Sequence, residues 1–233
     1  MKKVFITGTG SGIGYELAQK YLSSGAKVYA VGRKASPILD KQPNFFFFPC
    51  DLSDTFLLQA EINDFILNNS FDIAILTAEI LWDIKELRET TTENIKKVMD
   101  INVWANKELI DSLNTFCTVK QIVVVSSGIA ISGSKGSGAY SISKSSLNTM
   151  ISIFAKELPD IHLSVLATGV IKTSMVNYIL ANVSHSTYPL VDKISNGVII
   201  SADEAAKQLI PAFEKLLEYE SGSYVDIRKM YFR

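Results

Sequence analysis

Tyr140 and Lys144 are the two side chains whose types and spacing point most directly to chemistry. They stand four residues apart in the segment YSISK, so in a helix both lie on one face. An ammonium about 4 Å from a phenol, at an effective dielectric constant near 20, favours the phenolate by about 4 kcal/mol. The pair could therefore lower the pKa of Tyr140 from about 10 by up to about three pKa units. This spacing predicts a tyrosine that exchanges protons with a substrate near neutral pH.

A glycine-rich segment near the N-terminus suggests a second kind of chemistry. The sequence TGTGSGIG at 7–14 follows a short apolar run and precedes a helical pattern. Glycines at such a junction let the backbone turn tightly and approach a pyrophosphate, whose charge meets the helix N-terminus. The strict GxGxxG spacing is absent, and a flexible turn is the alternative interpretation. The loop residues predicted to contact a dinucleotide are Gly8, Thr9, Gly10, Ser11, Gly12, Ile13 and Gly14.

The residues after the second apolar run bear on which nicotinamide cofactor would bind. An NAD-specific site usually places an acidic residue there, where it binds the ribose 2′-hydroxyl. This sequence has Gly32 at that place, followed by Arg33 and Lys34. A guanidinium can hold a 2′-phosphate with two N–H groups, which favours NADP(H) over NAD(H). A solvated pair of surface cations is the alternative interpretation.

The composition of the 233 residues argues against several other classes of function. A net charge of -1 lacks the basic excess that is usual in nucleic-acid-binding proteins. The cysteines, Cys50 and Cys117, form no CxxC or Cys/His cluster, so we predict no metal site. Two separated cysteines fit a reducing compartment, and we expect a cytoplasmic protein. No apolar run suits a signal peptide or approaches the ~18–20 residues of a membrane span.

Short apolar runs alternate with longer helical patterns along the whole chain. The predicted strands are 3–7, 27–31, 45–48, 72–77, 121–126, 162–167 and 223–227. The predicted helices are 12–24, 53–68, 91–116, 139–157 and 203–218. This alternation implies βαβ crossovers and a parallel sheet with helices on both faces, hence a doubly wound, three-layer α/β/α domain. The pattern alone also fits a flavodoxin-like fold. The aromatic block at 45–48 is interpreted as a strand buried on both faces.

These motifs, taken together in order, resemble those of the short-chain dehydrogenase/reductase family, in its single-domain branch. The family patterns TGxxxGxG and YxxxK match 7–14 and the pair Tyr140 and Lys144. The resemblance runs from residue 1 to about 220. It implies a single Rossmann-type domain over 1–233. It also implies hydride transfer between a nicotinamide cofactor and a carbonyl or alcohol carbon.

The resemblance assigns roles to individual residues. Tyr140 would give or take the hydroxyl proton, and Lys144 would lower the tyrosine pKa and hold the nicotinamide ribose. Ser127, thirteen residues before the tyrosine, would hydrogen-bond the substrate oxygen, with the adjacent Ser126 as the competing assignment. Asn102 would hold a water that links Lys144 to solvent. The other positions matched to cofactor contacts are Asp51, Leu52, Thr77, Ala78, Gly169, Val170 and Thr173.

Two positions depart from the family pattern. The family has NNAG after the fourth strand, where this sequence has LTAE and ends in Glu79. A carboxylate there would repel phosphate, narrow the site, or point to solvent. The family has PG after the sixth strand, where this sequence has Thr168 and Gly169. Loss of the proline frees the backbone of the loop that leads to the substrate.

Residues 174–200 correspond to the family's substrate lid, and their weak periodicity predicts a loop or short helices. Their apolar side chains favour an apolar or aromatic carbonyl substrate, or else they only pack the lid onto the domain. His185 is either a substrate contact or a solvated loop residue. We therefore predict an NADP(H)-dependent carbonyl reductase or alcohol dehydrogenase acting on a small molecule. A catalytically weak NADP(H)-binding sensor or scaffold is the alternative, and Glu79 is its best support.

Two long predicted helices, 91–116 and 139–157, correspond to those through which the family often forms dimers or tetramers. We therefore expect a homodimer or homotetramer. Apolar residues on these helices could serve either that contact or the core of the chain itself. They are Ile95, Val98, Met99, Met150, Ile151 and Phe154.

Overall fold

The computed structural model describes residues 1–183 and 187–230, apart from the side chains at 56, 57 and 59–61. The strands in this part of the chain are β1 (Lys3–Thr7), β2 (Lys27–Gly32), β3 (Phe45–Pro49), β4 (Ser70–Phe71), β5 (Ile73–Leu76), β6 (Thr118–Val119), β7 (Gln121–Ser126), β8 (His162–Ala167), β9 (Val170–Lys172), β10 (Ile199–Ser201) and β11 (Tyr224–Asp226). The α-helices are α1 (Gly12–Ser23), α2 (Thr55–Ile66), α3 (Thr92–Met99), α4 (Ala105–Phe116), α5 (Ile129–Ser132), α6 (Gly138–Glu157), α7 (Ser174–Asn182), α8 (Pro189–Ser195), α9 (Ala202–Leu216) and α10 (Ile227–Met230).

Seven of these strands form one parallel sheet in the order β11-β8-β7-β5-β1-β2-β3. The chain winds outward from β1 in one direction and then, from β5 onward, in the other. This reversal makes a topological switch point between β1 and β5. The predicted doubly wound, three-layer α/β/α architecture is therefore confirmed.

Two apolar cores lie on opposite faces of the sheet. Along β1, Val4 and Ile6 face the core that contains α1 and α9. Phe5 faces the core that contains α2, α4 and α6. This alternation follows from the two-residue period of a strand, and helices on both faces give the sheet nearly continuous apolar runs.

The register of the strands brings four loops together at one edge of the sheet. Thr7 at the end of β1 is level with Leu76 at the end of β5. Leu76 is level with Val124 of β7, and Ser126 is level with Ala167 of β8. The loops that follow β1, β5, β7 and β8 therefore meet at the carboxyl edge, where α/β sheets bind ligands.

The prediction that the aromatic block at 45–48 is buried on both faces is wrong. These residues form most of β3, which pairs with β2 and is the last strand at that edge of the sheet in the described part of the chain. Phe45 is buried, whereas Phe46 is 36% exposed and stacks on Tyr29 with ring centroids 4.8 Å apart. The aromatic residues therefore form an edge strand and not a central one.

The other element predictions agree closely with the structure. The long helix predicted at 91–116 is present as α3 and α4, joined by a π-helical turn at Asp100–Trp104. The predicted short helices of the lid are α7 and α8, and β10 pairs with β9. No helix in the described part of the chain is long and apolar enough to cross a membrane.

Candidate active site and nucleotide groove

Two glycines in the loop after β1 are needed for different physical reasons. Gly8 has a φ of +77°, a backbone conformation that residues with a side chain rarely adopt. Gly14 lies in α1 against the same loop, and a Cβ there would lie 2.5 Å from the Gly8 carbonyl oxygen. The second glycine therefore lets α1 begin close to the end of β1.

We expect Gly14→Ala to destabilise the protein by about 1–3 kcal/mol, since neither backbone can move away without disturbing the loop. The measurement is urea unfolding, with Gly32→Ala as the matched control. A Cβ at Gly32 would meet no atom closer than 3.8 Å, so that variant should unfold close to the wild-type midpoint. Equal midpoints for the two variants would contradict the packing argument.

The glycine loop forms one wall of a groove of about 610 Å³ at the carboxyl edge of the sheet. The ends of β2 and β5 form much of the rest. Most of the predicted cofactor contacts line it, namely Gly8, Thr9, Gly10, Ser11, Gly12, Ile13, Gly14, Arg33, Lys34, Asp51, Leu52, Thr77, Ala78 and Thr173. Gly169 and Val170, also predicted as cofactor contacts, line a neighbouring pocket instead.

The groove has the donors that a dinucleotide phosphate requires. Helix α1 begins after Ser11, whose side chain makes no capping hydrogen bond, and its first turn has no acidic residue. The free N–H groups at this end can bind an anion. The hydroxyl of Thr9 is buried and has no partner within residues 1–183 or 187–230. Together with the cations Arg33 and Lys34, these groups fit the phosphates of a dinucleotide.

The floor of the groove is held by threonines at the ends of two strands. The Thr7 hydroxyl accepts hydrogen bonds from the backbone N–H groups of Thr77 (3.0 Å) and Ala78 (3.1 Å). The Thr77 hydroxyl donates to the Thr7 carbonyl at 2.5 Å. These bonds fix the start of the segment that carries Glu79.

Asp51 lies at the far end of the groove, in a turn after β3. Its Oδ1 accepts hydrogen bonds from the Ser53 backbone N–H (2.9 Å) and hydroxyl (2.8 Å). These bonds, with a smaller contribution from Arg33, hold the pKa of Asp51 below its usual value. The carboxylate is thus kept ionised beside the cation.

The candidate proton-transfer residues form a three-member cluster that includes Glu79. The Tyr140 hydroxyl donates to Glu79 Oε2 at 3.0 Å, and the same oxygen lies 2.6 Å from Lys144 Nζ. Lys144 is 2% exposed and also donates to the Val125 carbonyl at 2.8 Å. Glu79 therefore turns inward, and the interpretation that it points to solvent is wrong. It lines both the groove and the neighbouring pocket.

The pKa of Tyr140 moves in the opposite direction from the one expected from the YxxxK spacing. Burial raises it most, and the charge and hydrogen bond of Glu79 raise it further, to well above 10. A hydrogen bond with Ser127 acts in the lowering direction but is outweighed. The physical reasons are that the phenol is buried and that Glu79, which pairs with Lys144, places a negative charge beside it.

The structure distinguishes between the two serines at the end of β7. Ser126 is buried, and its hydroxyl donates to the Asn148 side chain at 2.7 Å. Ser127 interacts with Tyr140, and its Oγ accepts a longer hydrogen bond from the Ile129 backbone N–H at 3.4 Å. Ser127 is therefore the serine placed to contact a substrate oxygen, although that role remains a prediction.

Asn102 is fully buried within the π-helical turn. Its side chain accepts a hydrogen bond from the Ile80 N–H and donates to the Ile80 carbonyl, both at 2.9 Å. Its amide also donates to the Ser143 hydroxyl at 3.0 Å. The observed contacts thus hold the segment after Glu79 in place. The predicted water between Asn102 and Lys144 remains untested.

The sequence profile of the short chain dehydrogenase family matches residues 2–184. The chain belongs to this family. An uncharacterized oxidoreductase of Schizosaccharomyces pombe is 28% identical over 183 residues, which cover 75% of this chain and 72% of the relative. The solved structure of a short chain dehydrogenase/reductase from Saccharomyces cerevisiae aligns with a TM-score of 0.83 at 22% identity, over 97% of this chain and 96% of that one. A short chain dehydrogenase structure from Shigella flexneri, complexed with NADP, aligns with a TM-score of 0.77 at 21% identity over 97% of both chains.

Beside the groove, this short chain dehydrogenase has a second pocket of about 570 Å³. Tyr140 and Ser127 lie in its wall, and the lid helices α7 and α8 cover it. Residues of the lid helices pack onto the domain, and several of them also line the pocket. Ile179, Val191 and Ile194 are buried in a cluster with Tyr140. Ile179 and Ile194 also line the pocket, together with Met175, Val176 and Leu190. His185 lies outside the described residues.

Two pocket residues, Asp226 and Arg228, had no recognisable signal in the sequence, apart from the predicted strand at 223–227 that contains Asp226. Arg228 binds Asp226 through Nε and Nη2, at 2.9 Å and 2.6 Å. Both residues line the second pocket. Within residues 1–183 and 187–230, no group of three or more His, Cys, Asp or Glu residues could hold a metal ion.

Proposed function

We propose that this short chain dehydrogenase is an NADP(H)-dependent carbonyl reductase, with Tyr140 as the proton donor. Its substrate is a small molecule with an apolar or aromatic body. The observation that carries the proposal is the position of Tyr140, Lys144 and Glu79 between the nucleotide groove and an apolar pocket. When bound, NADPH supplies the hydride, while the chain positions the reactants and supplies the proton.

The environment of Tyr140 suits the proton-donating role that carbonyl reduction requires. A phenol whose pKa lies well above 10 is protonated throughout the physiological range, so it can donate a proton to a carbonyl oxygen. The reverse reaction requires the phenolate, which burial and Glu79 disfavour. Ser127 provides a second hydrogen-bond donor for the substrate oxygen, and Lys144 with Glu79 orients the phenol.

The choice of NADP(H) over NAD(H) rests on Arg33. Its guanidinium lines the groove just after β2 and follows Gly32, which stands at the place where NAD-binding proteins carry an acidic residue. The NADP-bound relative from Shigella flexneri supports a nicotinamide cofactor in the same fold.

We expect Arg33→Ala to weaken NADPH binding by roughly tenfold to a hundredfold, the usual effect of losing charge-assisted hydrogen bonds. NADH lacks the 2′-phosphate, so its dissociation constant should change by less than about threefold. Titration of nicotinamide fluorescence measures both constants. A parallel loss for both nucleotides would assign Arg33 a general role in the groove instead of recognition of the phosphate.

The proposed activity is tested by adding NADPH to the purified protein and following its oxidation with a panel of aromatic ketones and diketones. Oxidation that depends on the carbonyl compound supports the reductase. Tight NADPH binding without turnover on any compound would favour the sensor or scaffold. Failure to bind either nucleotide would mean that the chain retains the family fold without the function.

We also propose that the whole chain acts as one cytoplasmic domain that assembles into a homodimer or homotetramer. An apolar groove lined mainly by the π-helical turn at Asp100–Trp104 and by α6 supports the assembly, with Trp104 and Ile153 about half exposed along it. Of the residues expected either at the contact or in the core, Val98 and Ile151 are fully buried in the chain. Met99, Met150 and Phe154 line the groove.

A further inference from the structure

We propose that Arg228 binds an anionic group on the substrate, so that the enzyme reduces oxo acids: carbonyl compounds with an apolar body and a carboxylate. This inference rests on the proposed carbonyl reductase activity and names its substrate class. It goes beyond the neutral apolar substrate that the lid residues alone suggest.

Arg228 is held rigidly but retains free donors. Asp226 is buried, accepts two hydrogen bonds from the guanidinium, and also accepts one from the Arg228 backbone N–H at 3.0 Å. Nη1 has no partner in the described ranges 1–183 and 187–230. The Arg228 side chain is 63% exposed, so a ligand in the pocket can approach the guanidinium. A guanidinium fixed in this way can bind a carboxylate with little loss of conformational entropy.

Two glycines place the Arg228 side chain in the wall of the substrate pocket. A Cβ at Gly128 would lie 3.3 Å from Arg228 Nη2, and a Cβ at Gly169 would lie 3.7 Å from Arg228 Cδ. Gly128 directly follows Ser127, the serine that interacts with Tyr140. The cation therefore lies beside the backbone that carries a predicted contact of the reacting carbonyl.

The balance of charge in the pocket also favours an anion. Its carboxylates, Glu79 and Asp226, are already paired with Lys144 and Arg228. Lys193 and Lys229 also line the pocket. The side chains of these two lysines have no carboxylate partner among the residues that the structure describes. An apolar cavity with a net excess of cations selects a ligand with an apolar body and a negative end.

A purely structural role is the competing explanation, because the pair also connects β11 to α10. The two roles differ in what they predict for selectivity. A structural pair, when broken, lowers stability and affects acidic and neutral substrates alike. A recognition residue, when changed, removes the preference for the acid and leaves reduction of the neutral analogue nearly unchanged.

The test compares three oxo acids with their methyl esters: benzoylformate, 3-benzoylpropionate and 4-acetylbenzoate, which place the carboxylate at increasing distances from the carbonyl. We expect kcat/KM of the wild type to favour at least one acid over its ester by about tenfold or more. In Arg228→Gln that acid should lose about tenfold or more, while its ester stays within about threefold. Arg228→Lys retains the positive charge but not the forked geometry of the guanidinium. Its kcat/KM for the acid should lie between the values of the wild type and Arg228→Gln.

Arg88→Gln is the matched control, because Arg88 is exposed, pairs with Glu86, and lines neither the groove nor the pocket. The preference of Arg88→Gln for acid over ester should equal that of the wild type. The proposal is wrong if the wild type prefers no acid over its ester. It is also wrong if Arg228→Gln has a normal melting temperature and an unchanged ratio of kcat/KM between acid and ester. Calorimetric binding of the three acids to the NADPH-saturated protein separates the two claims. If an acid binds in a manner that depends on Arg228 but is not reduced, the proposed reductase activity is wrong and the proposed anion site is supported.

Discussion

Tyr140→Phe should reduce kcat for NADPH-dependent carbonyl reduction by about 10²- to 10⁴-fold, the usual contribution of a positioned general acid. The phenylalanine ring keeps the apolar contacts of Tyr140 with the lid cluster, so the fold should persist. The dissociation constant for NADPH should stay within about threefold of the wild-type value. The measurement is the kcat for the best carbonyl substrate, together with a fluorescence titration of NADPH.

Tyr178→Phe provides the control for loss of a hydroxyl group. Tyr178 is on the lid helix α7, 48% exposed, and lines neither the groove nor the pocket. Its variant should retain nearly full activity. If Tyr140→Phe loses less than about tenfold, another group or a water supplies the proton, and the role assigned to Tyr140 is wrong.

Glu79→Gln should shift the pH dependence of the enzyme toward lower pH. The substitution removes a negative charge beside the phenol and leaves the Lys144 ammonium unpaired, so the pKa of Tyr140 should fall. Alcohol oxidation requires the phenolate and therefore rises with pH up to the phenol pKa. Each pKa unit of decrease gives about tenfold more phenolate below that pKa, so oxidation at pH 8 should increase by about tenfold or more.

The rate of carbonyl reduction depends on pH in the opposite way from the rate of alcohol oxidation. Reduction requires the protonated phenol and is lost as pH rises through its pKa. In the wild type this pKa is well above 10, so deprotonation of Tyr140 should cause no decline in reductase activity up to about pH 10. Glu79→Gln should begin to lose reductase activity at a lower pH.

The control for Glu79→Gln is Glu93→Gln. Glu93 also pairs with a lysine, Lys97 at 2.8 Å, but on the surface and with its side chain 75% exposed. Its pH profiles should match those of the wild type. Coincident profiles for Glu79→Gln and the wild type would show that Glu79 does not control the proton affinity of Tyr140.

The order of strands and helices could be predicted from the sequence because each element carries its own local signal. Buried parallel strands are short apolar runs, and helices show a repeat of three to four residues, as in α1 and α9. The error at 45–48 has a physical reason. An aromatic run indicates a strand. Whether that strand is central or at the edge depends on its pairing with β2, and the residues of the run carry no information about that pairing.

The elements that carry the candidate site residues were predictable where a motif fixes them locally, as for the glycine loop before α1 and the pair Tyr140 and Lys144 in α6. The direction of the Tyr140 pKa shift was not predictable, because it depends on the burial of the phenol and on Glu79, which is 61 positions away in the sequence. The sequence showed that Glu79 replaces a glycine, but not that it turns inward. The Arg228 site depends equally on distant contacts, since its neighbours Gly128 and Gly169 follow other strands.

The most direct test of the central claim is the transfer of deuterium from labelled NADPH to a carbonyl substrate. The wild type is incubated with the best substrate and NADPH labelled at either the pro-R or the pro-S position of C4. The alcohol product is then analysed by mass spectrometry. We expect deuterium on the carbinol carbon from one of the two labelled cofactors and none from the other. An alcohol without deuterium from either cofactor, or no alcohol despite bound NADPH, would contradict hydride transfer at this site.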